Sequence, residues 1–231
     1  MVSVSIHQPN YMPWSGFFHK WLSSDHFVLL DNVQYHKNEW QNRNQIKTSQ
    51  GKQWITVPVT YRFPQRIEEV NIVANTWAKK QIASIEQAYS KAPFFHDYWL
   101  PIHVILSEPH DKLSDLNISL IRCLGQLLGC TAPLHVASDL PMFSTEATPR
   151  LMDICQHLQA DVYHSGAEGR SYLQQDVFVN AGLGLRFQDI SPVSYPQLHG
   201  EFVPYLSVLD VLFNLGEDAP SRIRSMGGWV L

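Results

Sequence analysis

Short apolar runs alternate with longer amphipathic segments along this chain, and the alternation starts at once. Residues 2–6 (VSVSI) put an apolar side chain at every second position, the period of a strand. Residues 14–22 carry apolar positions at helical spacing, and residues 26–30 (HFVLL) are an unbroken apolar run short enough for a buried strand. Strand, helix and strand in immediate succession is the spacing of a βαβ unit with a parallel pair. The pattern returns later: residues 134–137 predict a strand, 146–158 a helix, 161–164 (DVYH) a strand and 185–187 another. Between the two blocks, residues 53–61 (QWITVPVTY) alternate and are rich in β-branched and aromatic side chains. They predict a strand, and Pro58 assigns residues 54–58 to the edge of the sheet. Residues 67–73 predict a second short strand. Helical spacing then runs over residues 76–106, with Thr76 as N-cap and Pro93 opening a second helix, and residues 114–128 gather Leu116, Leu120, Ile121, Leu124, Leu127 and Leu128 on one face. A last buried helix follows Pro204, is interrupted by Asp210 and closes at Gly216.

These elements predict an α/β fold: an open, mostly parallel, Rossmann-like sheet spanning residues 1–231 as one domain, with residues 76–128 as a helical insertion or cap. A hydrophobic share of 45% with 12% aromatic residues is enough to fill such a core without staples. The three cysteines fit that picture. Cys123 and Cys130 lie seven positions apart on a predicted helix, and no C-x-x-C pair occurs, so buried thiols are expected rather than disulfides or a zinc knuckle. The eleven histidines have no H-x-x-x-H or H-x-H spacing, so no metal site is expected. A net charge of −4 makes nucleic acid an unlikely partner. The start of the chain reads as a strand rather than a leader, and no apolar run reaches the roughly 18 residues of a membrane span, so a cytoplasmic protein is expected. The oligomeric state is left open.

Candidate chemistry concentrates in three loops. The first, IHQPNYMPWSGFFHK from Ile6 to Lys20, leaves the first strand and enters the first helix, where open α/β folds bind ligands. It brings His7, Gln8, Asn10, Tyr11, Trp14 and Lys20 to one place. The second, residues 33–48 (VQYHKNEWQNRNQIKT), has poor periodicity and a high density of planar hydrogen-bonding groups, including Gln34, Trp40, Asn42, Arg43 and Asn44. Such groups suit a polyhydroxylated or anionic ligand, and the plain alternative is a solvated loop. The third, residues 165–173 (SGAEGRSYL), follows a strand. Ser165, Gly166 and Gly169 offer backbone N–H groups there and Arg170 offers a charge, which suits phosphate or carboxylate. An ordinary glycine turn, with its arginine paired to a carboxylate, is the alternative. Asp210, inside an apolar helix, is expected to make a structural contact.

These stretches, with WITVPV and the closing YPQLHGEFVPYLSVLDVLFNLG, resemble the WbqC-like proteins of bacteria over nearly the whole chain. Members are associated with surface-polysaccharide gene clusters such as O-antigen and capsule, and the resemblance implies modification of an amino sugar. Matching positions carried over as candidates are His7, Gln8, Pro9, Tyr11, Pro13, Trp14, Gly16, Phe17 and Lys20 in the first loop, and Asp31, Gln34, Trp40, Asn42, Arg43 and Asn44 after it. Later in the chain they are Ser165, Gly166, Gly169 and Arg170, then Tyr195, Gln197, Ser207, Asp210 and Asn214. A fainter likeness is to nucleotidyltransferases and acid-activating ligases. They place two histidines around a glycine at the first helix start, whereas this chain reads Pro13-Trp14-Ser15-Gly16-Phe17.

The expected activity is transfer of an acyl or aminoacyl group to an amino sugar or sugar nucleotide; the cofactor is left open between ATP/Mg and an activated acyl donor. His7 would be the general base, with Gln8, Asp31 and Arg43 in the catalytic set. Asn10, Tyr11, Trp14, Lys20, Gln34, Trp40, Asn42, Asn44, Ser165, Gly166, Gly169, Arg170 and Gln197 would bind substrate. An ATP-dependent ligase or nucleotidyltransferase, and a non-catalytic glycan-binding module, are the alternatives.

Overall fold

A computed structural model describes residues 1–73 and 76–231 of the chain. In chain order the elements are β1 (Ser3–His7), α1 (Ser15–Leu22), β2 (His26–Leu29), β3 (Arg43–Thr48), β4 (Gly51–Thr56), β5 (Val59–Thr60) and β6 (Asn71–Ile72). Three helices follow, α2 (Trp77–Tyr89), α3 (Phe95–Ser107) and α4 (Leu113–Leu127). The chain then continues through β7 (Leu134–Val136), α5 (Ala147–His157), β8 (Val162–Ser165), α6 (Gln175–Asn180), β9 (Gly184–Ile190), α7 (Val208–Leu215), α8 (Ala219–Arg224) and β10 (Gly227–Val230).

The central sheet has the strand order β10-β9-β8-β1-β2-β7. All its pairs are parallel except β9 with β10, which is antiparallel. From β1 the chain first builds outward through β2 and β7, then returns to lay β8 on the other flank of β1. Connections leaving β1 and β8 therefore diverge, which makes the carboxyl ends of these two strands the topological switch point of the sheet, the place where open α/β folds bind ligands.

Side-chain alternation divides the core. Val4 and Ile6 of β1, Val28 of β2, Tyr163 of β8 and Phe187 of β9 share a cluster with Leu151 and Ile154 of α5 and Phe178 of α6. Ser5 and His7 point to the other face, where Ser5 Oγ meets Ser24 Oγ at 2.7 Å and His7 packs edge-on to Phe17 of α1 at 4.8 Å. On that side a larger cluster joins α1, α7 and α8 to α2–α4. Gly16 lets α1 start tightly, because a Cβ there would overlap the indole ring of Trp14.

Five central strands lie where the hydrophobic pattern predicts them, and the structure is a mixed α/β fold with a mostly parallel sheet. Residues 54–58 do not form an edge of that sheet. They belong to a separate hairpin, with β3 pairing β4 from Arg43↔Thr56 to Thr48↔Gly51, because β7 takes the place beside β2. Residues 67–73 give only a 3₁₀ turn (Ile67–Glu69) and β6, which pairs β5. Thr76 occupies the N-cap of α2 without a side-chain cap hydrogen bond. No helix among the described residues is long and apolar enough to cross a membrane.

Candidate functional site

The first two loops form one body. The Tyr11 N–H donates to the Trp40 carbonyl (2.9 Å), and Gln41 Nε2 donates to Gln8 Oε1 (2.5 Å). Asn44 Nδ2 donates to the carbonyls of Tyr11 (3.2 Å) and Met12 (2.7 Å), which fixes Met12 at a φ of 42°. That is a left-handed conformation rarely taken by a bulky residue. Asn117, fully buried on the apolar face of α4, donates to the carbonyls of Pro9 (2.9 Å) and Gln41 (2.8 Å). Asn44 is thus occupied in holding the loop, and so is Tyr11, whose hydroxyl donates to Gln81 Oε1 (2.5 Å) in the core. Asn42 donates to the Val57 carbonyl (3.0 Å), and Gln34 to the carbonyl of Tyr35 (2.8 Å). Asn10 is buried in the loop and makes no side-chain hydrogen bond among the described residues. Asp31 closes β2 by accepting from the Ser138 N–H (2.9 Å) and hydroxyl (2.6 Å), which ties it to the residues after β7. Trp14 packs on Tyr205 (5.4 Å) beside a cavity of ≈ 20 Å³, room for about one water.

His7 and Lys20 stand at the switch point, beside the carboxyl end of β1. His7 Nδ1 lies 3.0 Å from the Gln8 carbonyl. A carbonyl only accepts, so Nδ1 carries the proton and the neutral ring keeps its Nε2 lone pair. Burial, followed by the charge of Lys20, lowers the His7 pKa to about 3 against a smaller opposing pull from the Gln8 carbonyl, so the ring is neutral at physiological pH. Lys20, from the last turn of α1, is 3% exposed. Its Nζ donates to the Ile6 carbonyl at the end of β1 (2.9 Å) and lies 3.9 Å from where a Cβ on Gly166 would sit, beyond the end of β8. It makes no ion pair among the described residues, and burial lowers its pKa to about 7. A neutral histidine and a buried lysine with its pKa lowered to about 7 thus sit together at the carboxyl end of β1, beside the end of β8, the kind of perturbed pair found at functional sites.

Arg43 opens β3 and belongs to the second loop. Its guanidinium lies 4.3 Å over the indole of Trp54, which in turn tilts against Trp40 at 5.7 Å, and both tryptophans are exposed. Past Trp54, a groove of ≈ 610 Å³ runs between β4 and α2, lined by Trp77, Lys80, Gln81 and Ser84 among others. Its size is that of a small-molecule site.

The third loop behaves differently. Ser165 donates to the Gly166 carbonyl (3.1 Å), and the N–H groups of Gly169, Tyr172 and Leu173 are bonded within the turn. A Cβ on Gly169 would overlap Ser165 Oγ, so the glycine serves this close approach. Arg170 lies 4.7 Å over the ring of Phe187, on the α5 and α6 side of the sheet, and donates to the Leu231 carbonyl (3.1 Å). Gln197 is held in a buried network around Asp210. The carboxylate accepts from Gln197 (2.7 Å), Tyr195 (2.8 Å) and Tyr89 (2.9 Å), while Lys47 donates to Gln197 Oε1 (3.1 Å) and to the carbonyls of Gly200 (3.2 Å) and Glu201 (2.5 Å). Asp210 therefore ties α7 to β3 and α2, the structural role expected of it.

Sequence reasoning did not find a polar layer under α1. His19 Nε2 donates to the Gly227 carbonyl (3.3 Å), and its Nδ1 accepts from Gln188 (3.0 Å). His164 stacks on Trp229 at 4.0 Å and faces Ser24 Oγ at 3.3 Å. Lone histidines give no periodic signal. Asn117 did leave one, as a polar residue between Leu116 and Leu120 on an otherwise apolar face. The cysteines are unpaired, and burial raises the thiol pKa values of Cys130 and Cys155 to about 12, so neither is a thiolate at neutral pH. Among the described residues no three His, Cys, Asp or Glu side chains converge to hold a metal ion.

Residues 8–222, which contain Lys20, the second loop and the α7 network and begin just after His7, match the WbqC-like protein family, and the chain belongs to that family. It is 41% identical over 230 residues to the uncharacterized protein Rv1507c of Mycobacterium tuberculosis, an alignment covering 97% of this chain and 98% of that protein. No solved structure matches it.

Proposed function

We propose that this WbqC-like protein is a cytoplasmic transferase that N-acylates or aminoacylates an amino sugar or sugar nucleotide for bacterial surface polysaccharide. The reading treats the sheet as Rossmann-like, with the substrate at the switch point above β1 and β8. The observation that carries it is the pair of His7, with a free Nε2 lone pair, and Lys20, buried beside it with a single carbonyl partner. In this reading the amine nitrogen attacks the acyl carbon, His7 Nε2 takes the amine proton as the N–C bond forms, and the donor's leaving group departs. Lys20 faces the charge that develops. The groove past Trp54 gives the sugar an aromatic platform with amides and hydroxyls at its sides.

The test is incubation with UDP- and dTDP-amino sugars plus acyl-CoA, or glycine with Mg-ATP, read by mass spectrometry. A mass gain of one acyl or aminoacyl group is expected, reduced about 10²- to 10⁴-fold in His7→Ala. Full turnover by His7→Ala would remove the base assignment. The strand order also favours a second reading, an ATP-dependent ligase with nucleotide at the same switch point. That reading requires Mg-ATP to raise the thermal midpoint, and no shift at millimolar nucleotide would exclude it.

A further inference from the structure

Buried polar atoms without partners are uncommon in a folded chain, and here they are unevenly distributed. Six side-chain atoms of this kind occur among the described residues: Asn32 Oδ1, Tyr35 Oη, Asn42 Oδ1, Arg43 Nε, Asn117 Oδ1 and Trp229 Nε1. Four belong to residues 32–43, and a fifth belongs to Asn117, which clamps that segment through the Gln41 carbonyl. Two of the four are donors of a kind that recognises anions, Arg43 Nε and the Tyr35 hydroxyl.

Tyr35 is 1% exposed and lies edge-on to Tyr61 at 5.0 Å. Burial and then Tyr61 raise its pKa to about 12, against an opposing pull from the charge of Arg43. The segments that carry the two residues are joined where the His36 N–H donates to Gln41 Oε1 (3.2 Å). Arg43 has no carboxylate partner among the described residues, where the ion pairs are Met1 with Asp161 and Arg66 with Glu68. Its guanidinium carbon lies 4.3 Å over the ring of Trp54, a diagonal neighbour across the β3–β4 pair, since Arg43 faces Thr56 and Gln45 faces Trp54. Stacking engages the face of a guanidinium and leaves its N–H edge to bind side-on, with Nε and a terminal nitrogen each donating to one oxygen of the same group. The second loop is joined to the first through the Tyr11–Trp40 and Gln8–Gln41 hydrogen bonds.

The geometry points to Arg43 and Tyr35 as the subsite for an anionic oxygen group of the substrate, a carboxylate or a phosphate, held by the side-on fork of Arg43 with the Tyr35 hydroxyl donating to the same group. This deepens the proposed function by naming what the second loop holds, and it rests on that reading for where the rest of the ligand lies. It gives Arg43, not Arg170, the anion.

The test is thermal unfolding of the full chain with millimolar inorganic phosphate or acetate, at ionic strength held constant with KCl so that general screening does not contribute. Wild type is expected to gain a concentration-dependent rise in midpoint with at least one of the two. Phosphate alone identifies a phosphoryl group, and acetate alone a carboxylate. Arg43→Gln should abolish the rise. Arg43→Lys, which keeps the charge but not the fork, should weaken binding about 10-fold or more, as should Tyr35→Phe. Without anion, Tyr35→Phe should unfold at the wild-type temperature or above, because it removes an unpartnered hydroxyl. No rise with either anion, a rise that persists in Arg43→Gln, or a Tyr35→Phe protein that loses several degrees without anion would each overturn the inference. His7→Ala should keep the anion response. Turnover by that variant would therefore refute the proposed base while leaving this subsite intact, and loss of the response in Arg43→Gln would hold whether or not His7 is the base.

Discussion

Two lysines of this chain are buried almost equally, Lys47 at 2% and Lys20 at 3% exposure, and their surroundings are opposite. Lys47 Nζ donates to three oxygens within a network that also satisfies Asp210, Tyr89, Tyr195 and Gln197. Lys20 Nζ has one carbonyl, no carboxylate, and a neutral histidine for a neighbour. A buried charge with a full set of partners holds elements together, whereas one left nearly bare costs stability and is kept where a ligand can complete it. The difference separates the structural site around Asp210 from the candidate functional site at the switch point.

The comparison breaks most visibly if the Asp210 network is removed. Asp210→Ala should lose about 3–5 kcal/mol in urea denaturation, since three buried donors lose their acceptor and the charge of Lys47 loses its nearby carboxylate. A loss below about 1 kcal/mol would show that the network is incidental. Asn117→Ala should cost less, about 2–3 kcal/mol, because it strands the carbonyls of Pro9 and Gln41. It should also impair turnover by loosening the first two loops.

A smaller effect concerns pH. Burial and then the charge of Arg186 lower His164 from 6.5 to about 4, and His7 falls to about 3. The folded protein binds these protons more weakly than the unfolded chain. The contribution of these two histidines is therefore complete above about pH 6.5, declines as pH falls from there, and levels off below the folded values, whereas that of Lys20, lowered to about 7, still rises with pH above 7. Urea midpoints measured from pH 8 to pH 4 should show that decline. His164→Phe, which keeps the stack on Trp229, should flatten it, and an unchanged slope in that variant would exclude His164 as a source.

How much of this was legible in the sequence follows from what each signal requires. Strands β1, β2 and β8 are read directly, because a parallel central strand is buried on both faces and appears as an apolar or alternating run, and β7 and β9 are read from short apolar runs although β7 is an edge and β9 is partly exposed. β10 gives no such signal: Gly227, Gly228, Trp229 and Val230 form a strand only because β9 offers an edge. The two-residue β5 and β6 are likewise products of pairing. At the site, the His7–Lys20 loop was legible as a strand-to-helix connection crowded with polar groups, and so was the polar density of residues 33–48. The division of labour inside those loops was not. Asn44 and Tyr11 look as ligand-ready as Arg43 in sequence, and only tertiary contacts show that the first two are occupied and Arg43 Nε is not. The third loop was read as an anion cradle from its glycines; the sequence does not show that it forms a 3₁₀ turn in which the N–H groups of Gly169, Tyr172 and Leu173 are already bonded.

The central claim is that Lys20 is retained for a ligand and not for the fold, and equilibrium urea denaturation of Lys20→Met at pH 7 tests it most directly. Because burial lowers Lys20 from 10.5 to about 7, its contribution to stability is already unfavourable at neutral pH. The account predicts that Lys20→Met is as stable as wild type or more stable, by up to about 1–4 kcal/mol. A loss of several kcal/mol, of the size expected for Asp210→Ala, would contradict it and make Lys20 one more structural group.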